Sequence, residues 1–240
     1  RNFRIRKYKS LRIKIMGAIT RGLANNITTA GRIAASGVND ATVSAITSLA
    51  IGATDNTYHL VESQTLSSDA TISFTSGLDS TYDAYCFKFY DIHSSADDAD
   101  LTFQGSTDSG SNYNTTMTTT FFQAFHFEDD SSTSLSYNTS FDQAQATGFQ
   151  LFSHSLGTDN DQATNGELWI YRPDSTTFVK HFRSRMSLHH ANDTSNDLFT
   201  AGYMNTTSAV NAIQFKMTSG NIDSGIIKLF GVRDVGVSGI

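Results

Sequence analysis

Short runs of alternating apolar and polar side chains recur from about residue 57 to residue 232. Alternation with period two predicts half-buried β-strands, because successive side chains of a strand point to opposite faces of its sheet. The longest run, residues 176–189, predicts a strand with two unlike faces. One face carries Phe178, Phe182, Met186 and Leu188, and the other carries Val179, His181, Arg183 and Arg185. With no helical period between such runs, this part of the chain is predicted to be all-β.

Eleven runs of this kind each predict one strand. They cover residues 57–66, 70–75, 84–92, 100–105, 116–127, 147–155, 166–172, 176–189, 198–204, 210–217 and 225–232. Acidic residues, Gly, Asn and Ser fill the segments between them, which is typical of turns. Many short strands joined by polar loops predict an antiparallel two-sheet β-sandwich of jelly-roll type.

The last predicted strand is expected to lie inside a sheet. Residues 213–217 alternate, and Thr218–Asn221 then supplies residues that favour a turn. In the following run, Ile226–Val232, Lys228 is the one long polar side chain. A nearly continuous apolar run is typical of a strand covered on both faces. We therefore predict that this run is central and that the domain does not fold without it.

Composition favours strands over helices. Ser and Thr together number 60 of the 240 residues, and 17 residues are Phe. Thr and Phe suit pleated, half-buried surfaces. Charged residues make up 17 % of the chain, below the usual level of roughly a quarter, so few long solvated helix faces are expected.

Charge is divided unevenly along the chain. Residues 1–15 carry seven basic side chains and no acidic one, whereas the other 225 residues carry 10 basic and 23 acidic groups. An acidic body repels the phosphates of nucleic acid, so no contact with nucleic acid is expected except through residues 1–15. This basic leader is interpreted as sequence upstream of a natural start at Met16, or as an arm that contacts nucleic acid or an acidic partner.

Residues 16–56 are rich in Ala, Thr, Asn, Gly and Ser and poor in large apolar side chains. Such a segment buries too little apolar surface to offset its ordering entropy alone. It is expected to be disordered or to be an extended attachment arm held against a neighbouring subunit. One short helix is predicted there, with an N-cap at Asn39 or Asp40, an apolar face of Val43, Ile46 and Ala50, and a stop at Gly52. Residues 57–240 are assigned to the sandwich.

Cellular location is constrained by three observations. Cys86 is the sole cysteine, so no disulfide forms within the chain, and the lone thiol favours maturation in a reducing cytoplasm. No run of 18 apolar residues is present, so no membrane contact is predicted. Arg21 interrupts the basic start before an apolar core develops, which argues against a secretory signal.

The sequence contains no catalytic motif. Its histidines stand at positions 59, 93, 126, 154, 181, 189 and 190, and neither His-Glu-x-x-His nor Gly-x-Ser-x-Gly occurs. His189 and His190, followed by Asp193 and Asp197, are interpreted as a polar strand end, with a metal site in the loop as the alternative. We therefore predict that the chain is not an enzyme and that it needs no cofactor.

Acidic residues cluster in three predicted loops. They are Asp97, Asp98 and Asp100, then Glu128, Asp129 and Asp130, then Asp159 and Asp161. Loop carboxylates beside Ser and Asn commonly cap turns, and this is their expected role. A structural Ca²⁺ held by loop oxygen atoms is the alternative, although no Asp-x-Asp-x-Asp-Gly loop is present.

Carbohydrate binding is the rival function. Sandwich domains hold sugars by stacking aromatic rings on them and by hydrogen bonds from Asn, Asp and Gln. The candidate contacts are Tyr113, Trp169 and Tyr203, with Tyr171 as a further aromatic residue. Trp169 alternates within Glu167–Tyr171 as a core residue should, so a core position is predicted for it.

Six segments carry diffuse patterns that belong together. They are Gly22–Gly31, Ser76–His93, Phe141–Gln145, Thr177–Phe182, Ala201–Tyr203 and Ser219–Val232. In this order they resemble a family of structural virion proteins of tailed bacteriophages that is common in marine samples. The resemblance covers roughly residues 16–232 and carries over no catalytic residue. The basic leader and the tail Arg233–Ile240 depart from the family pattern.

The resemblance implies a virion component that is assembled in the cytoplasm of the host bacterium. It would be a tail-fibre or appendage subunit, or a capsid-decoration protein, attached by residues 16–56 with its sandwich exposed. The expected partners are further copies of the chain, in a homo-oligomer that we expect to be a trimer, and other virion proteins. The alternative is a carbohydrate-binding module that recognises a cell-surface glycan.

Overall fold

The computed structural model describes residues 58–233. Their thirteen strands are β1 Tyr58–Asp69, β2 Ile72–Phe74, β3 Ala84–Ser94, β4 Ala99–Ser106, β5 Met117–Phe127, β6 Thr133–Tyr137, β7 Ala144–Ala146, β8 Gln150–Leu156, β9 Thr164–Tyr171, β10 Lys180–His190, β11 Thr194–Met204, β12 Ala212–Met217 and β13 Ile222–Val232. All strand pairs in this range are antiparallel and it contains no helix, which confirms the all-β prediction. The predictions for the leader 1–15 and for the arm 16–56 with its helix lie outside the described residues.

Strand boundaries differ from the predicted ones where polar residues occupy buried positions or where both faces of a strand are exposed. β11 begins at Thr194 rather than residue 198, because polar Thr194 and Asn196 occupy its buried positions. The short strands β6 and β7 lie outside every predicted strand, since almost all of their side chains are exposed. β10 begins at Lys180 rather than residue 176. Phe178 therefore precedes the strand and is 71 % exposed, so the prediction that it shares a strand face with Phe182, Met186 and Leu188 is wrong.

Hydrogen bonding arranges the strands in two layers. The larger layer has the order β1-β13-β3-β9-β10-β11-β5, and β6 and β7 both pair with β5. The smaller layer has the order β8-β4-β12-β2. The pair His190–Leu156 joins β10 to β8. One continuous antiparallel sheet thus folds over on itself as a barrel-like sandwich.

The core lies between the layers and is dominated by phenylalanine. Phe215 on β12 is fully buried, and its ring centroid lies 5.1–6.1 Å from those of Phe74, Phe87, Phe89 and Phe152. Edge-to-face aromatic pairs add to the stabilisation that comes from burying apolar area. Since β12 belongs to the smaller layer and β3 to the larger, this cluster holds the layers together.

β13 is a central strand, as predicted from the run Ile226–Val232. It pairs with β1 on one side and with β3 on the other. Its pairing with β3 shifts register between Ser224 and Ile226. The intervening Gly225 has φ +126°, and a Cβ there would lie 2.8 Å from the carbonyl oxygen of Asp91. Glycine is therefore needed at this bulge.

Candidate binding groove

The larger layer has one face on the core and one face turned away from it. On β10, Phe182, Ser184 and Met186 are buried, whereas Arg183 and Arg185 are exposed. The same alternation continues on the neighbouring strands β9 and β11. We call the side of this layer that carries Arg183 and Arg185 the outer face.

Two rows of directly paired residues cross the outer face from β13 to β5. The first row is Lys228, Lys88, Glu167, Arg185, Phe199 and Phe122. The second row is Phe230, Cys86, Trp169, Arg183, Ala201 and Thr120. Cross-strand partners stand about 4.5–5.5 Å apart at their Cβ atoms. Cationic and aromatic side chains are therefore close neighbours on this face.

Trp169 lies on the outer face, so the prediction of a core position is wrong. The period-two pattern of its strand is real, but the buried residues are Leu168 and Ile170, and the Trp169 ring is half-buried. Its Nε1 donates a hydrogen bond of 2.8 Å to Oε1 of Glu167. The Tyr58 ring meets its ring edge to face at a centroid distance of 5.8 Å. Trp169 is thus held in place with part of its ring open to solvent.

A groove of about 400 Å³ opens beside Trp169. It is lined by Phe122, Glu167, Trp169, Arg183, Ser184, Arg185, Phe199, Thr200 and Ala201. Phe122 and Phe199 stack with centroids 4.6 Å apart and planes 4° from parallel. These residues come from β5, β9, β10 and β11, which only strand pairing brings side by side. The sequence indicates Arg183 and Arg185 only as part of one face of a single strand.

The two arginines of the groove differ in their contacts. Arg185 makes hydrogen bonds of 3.0 and 2.7 Å to the two carboxylate oxygens of Asp197, and its guanidinium lies 5.0 Å from the Phe199 ring centroid. The Arg183 guanidinium lies 5.8 Å from the Trp169 ring. Within residues 58–233, no carboxylate lies within ion-pair distance of Arg183. The groove therefore contains an exposed cation whose hydrogen-bond donors face solvent.

The three predicted aromatic contacts do not converge. Tyr203 lies on β11, half-buried, with its ring centroid 6.0 Å from that of His181. Tyr113 lies in the loop after β4, and its buried hydroxyl has no hydrogen-bond partner within the described range. Neither lines the groove beside Trp169. Trp169 is the one of the three that does.

His154 on β8 lies beside the half-buried His190 at the end of β10, with ring centroids 5.2 Å apart. His154 is 6 % exposed, and its Nε2 is hydrogen-bonded to Oε1 of Gln123. Burial lowers the pKa of His154 to about 4 and, with smaller help from His190, keeps the ring neutral. His189 Nε2 lies 3.5 Å from Glu128 and 3.8 Å from Asp193. This arrangement resembles the predicted polar strand end.

The predicted loop carboxylates make local contacts. Hydrogen bonding with the Ser131 side chain and, to a smaller extent, with its backbone lowers the pKa of Asp129. The bond from the backbone N–H of Ser131 measures 2.9 Å. Asp100 accepts one of 3.0 Å from Ser155, while burial raises its pKa. Between residues 58 and 233, no three His, Cys, Asp or Glu side chains converge in a way that could hold a metal ion. The alternative of a structural Ca²⁺ held by loop oxygen atoms stays untested.

Comparisons with known proteins were made at three levels. The chain matches no protein-family model, no curated protein and no solved structure. In the described range, no helix is long and apolar enough to cross a membrane. The resemblance to virion proteins therefore stays a prediction from sequence patterns.

Proposed function

We propose that this chain is a non-enzymatic structural component of a phage virion, either a tail-fibre or appendage subunit or a capsid-decoration protein. Residues 16–56 attach it, and the sandwich is displayed to solvent. The observation that carries the proposal is the nesting order of the strand pairs, which is the order of a jelly roll. Jelly rolls are common in viral coat proteins and in lectins.

Eight of the strands support this jelly-roll assignment. In chain order they are β1, β2, β3, β4, β8, β9, β12 and β13. Paired from the ends inwards, these give β1 with β13, β2 with β12, β3 with β9 and β4 with β8, and all four pairs are hydrogen-bonded. The resulting sheets are β1-β13-β3-β9 and β8-β4-β12-β2. The remaining strands belong to two insertions, one between β4 and β8 and one between β9 and β12.

Assembly into an oligomer is supported by the edge strand β1. It is 12 residues long and pairs with β13 on one side, and its other side has no partner strand within residues 58–233. Tyr58 and Leu60 on this strand are 43 % and 57 % exposed. Long exposed edges pair readily with other chains, so β1 is the proposed contact between subunits.

Light scattering of the full-length chain during size-exclusion chromatography tests this assembly. We expect a trimer, weakened by Leu60→Lys on β1 and unchanged by the matched substitution Leu135→Lys on β6, where the leucine is 75 % exposed. A monodisperse monomer at micromolar concentration would contradict the oligomer.

For the virion assignment, an antibody against the chain should label intact particles of the phage that encodes it. A chain found in infected cells but absent from purified particles would exclude that role.

Carbohydrate binding is the second candidate, and the position of Trp169 favours it. A half-buried indole that is fixed by Glu167 on an outer sheet face can stack on a sugar ring. Isothermal titration of the full-length chain with neutral and acidic oligosaccharides tests it. Binding that is lost in Trp169→Leu supports this function, and the absence of binding to any oligosaccharide contradicts it.

A further inference from the structure

We propose that the groove beside Trp169 binds an acidic saccharide, with Trp169 as the stacking surface and Arg183 as the partner of a carboxylate or sulfate group. The inference rests on the second candidate function, carbohydrate binding, and specifies its ligand class. It is independent of whether the chain forms a trimer.

The position of the groove in the fold is the first support. Its walls combine β9 with β10, β11 and β5, and the last three belong to the two insertions. β5 and β11 pair along eleven residues, so the insertions extend the larger layer beyond β9 as one ordered surface. Binding sites are commonly built on segments added to a rigid framework.

Arg183 provides the second support. It is exposed, and the part of the chain described here offers it no carboxylate within ion-pair distance. Its neighbour Arg185 donates hydrogen bonds to both carboxylate oxygens of Asp197. A guanidinium presents donors in a planar fork that matches a carboxylate or a sulfate. Arg183 is therefore available to such a group, whereas Arg185 is already engaged.

The charge distribution points to an anionic ligand. Residues 58–233 contain eight basic and 20 acidic side chains. Four of the eight basic ones (Lys88, Arg183, Arg185 and Lys228) lie in the two rows on the outer face, beside Glu167 as the one acidic member of those rows. A basic face on an acidic body attracts a small anion locally, while the body repels a long polyanion such as nucleic acid.

Shape and aromatic content select a saccharide among small anions. The groove volume of about 400 Å³ falls within the range of roughly 300–1,000 Å³ for small-molecule pockets. Trp169 stands on one side and the stacked pair Phe122 and Phe199 on the other. A second recess of about 680 Å³ shares Glu167 and Arg185 with it. An oligosaccharide can therefore extend from the first recess into the second.

Trp169 is the sole tryptophan of the chain, so intrinsic fluorescence of the full-length protein reports directly on the groove. The probes are a hexuronate tetrasaccharide, a sulfated galactose tetrasaccharide and a neutral glucose tetrasaccharide. We expect saturable fluorescence changes with at least one acidic probe and none with the neutral one. The carboxylated and sulfated probes distinguish the two sources of negative charge.

Arg183→Gln should weaken binding of the acidic probe roughly 10- to 100-fold, as expected for loss of a charged hydrogen bond. The matched variant Arg172→Gln, an exposed arginine paired with Asp83 and Asp174, should bind as the wild type does. Circular dichroism on heating confirms that both variants fold. Equal binding of neutral and acidic probes, unaffected by Arg183→Gln, would overturn the inference while leaving carbohydrate binding intact. Binding of no probe would overturn both.

A single-stranded oligonucleotide of equal charge completes the panel. Tighter binding of the oligonucleotide than of either acidic saccharide, with the same dependence on Arg183, would also overturn the inference. We expect it to bind at least tenfold more weakly.

Discussion

Phe215 and Phe87 meet edge to face across the two layers of the sandwich, with ring centroids 5.1 Å apart and planes at 71°. Phe215 belongs to β12 in the smaller layer, and Phe87 belongs to β3 in the larger one. Both are fully buried. This contact closes the sandwich at its centre, so the stability of the whole fold should depend on it.

Phe215→Ala should lower the free energy of unfolding by about 3–5 kcal/mol, because it leaves a cavity among the surrounding phenylalanines. Urea denaturation followed by circular dichroism measures the change. Phe178→Ala is the matched control, since Phe178 is 71 % exposed. It should change the free energy of unfolding by less than about 0.5 kcal/mol. Similar losses in both variants would contradict the assignment of Phe215 to the central core.

Stability should fall as the pH drops from about 6.5 towards 4. Burial lowers the pKa of His154 to about 4 in the folded chain, whereas the unfolded chain has a histidine pKa of about 6.5. Between these values the unfolded state binds the proton and the folded state does not, so protonation favours unfolding. The loss attributable to His154 is about 3 kcal/mol and is complete below the folded pKa.

Urea denaturation at a series of pH values from 7.5 to 4 tests this pH dependence. His154→Gln removes the titrating group and should give a flatter profile than the wild type over that interval. An unchanged slope in the variant would show that other groups cause the pH dependence.

Cys86 should react with thiol reagents only after the chain unfolds. It is fully buried beneath the outer face, and burial, with a smaller contribution from Glu167, raises the pKa of its thiol to about 12. The thiolate is the reactive form, so both access and ionisation are suppressed. Ellman's reagent should detect no thiol in the native protein and one per chain in guanidinium. Rapid labelling under native conditions would contradict the buried position.

Removing residues 222–240 should leave the chain insoluble. This deletion removes β13, which lies between β1 and β3 in the sheet. Its side chains Ile227 and Leu229 are fully buried in the core. Two strand edges and an apolar surface would become exposed. A chain that ends at Arg233 retains all of β13 and is the control, and it should be soluble and unfold cooperatively. Recovery of a soluble, cooperatively folded protein after the larger deletion would contradict the central role of β13.

The strands of the fold follow from the sequence much more closely than the residues of the groove do. Runs such as 84–92 and 225–232 were placed correctly, because period-two alternation is encoded by neighbouring residues. β6 lies outside the predicted strands because almost all of its side chains are exposed, including Leu135 and Tyr137, so no buried face marks it in the sequence. The groove could not be predicted as a set, because Phe122, Trp169 and Phe199 lie on three different strands and only strand pairing brings them together.

The sequence by itself determined the all-β class and the central position of the run Ile226–Val232, because both follow from local patterns of polarity. The tertiary structure alone decided which face of each strand is covered. Alternation through Glu167–Tyr171 is equally compatible with Trp169 inside or outside, and a shift of one residue exchanges the two faces. Packing of Leu168 and Ile170 into the core placed Trp169 outside. Strand pairing then brought Arg183 beside it, which no local pattern specifies.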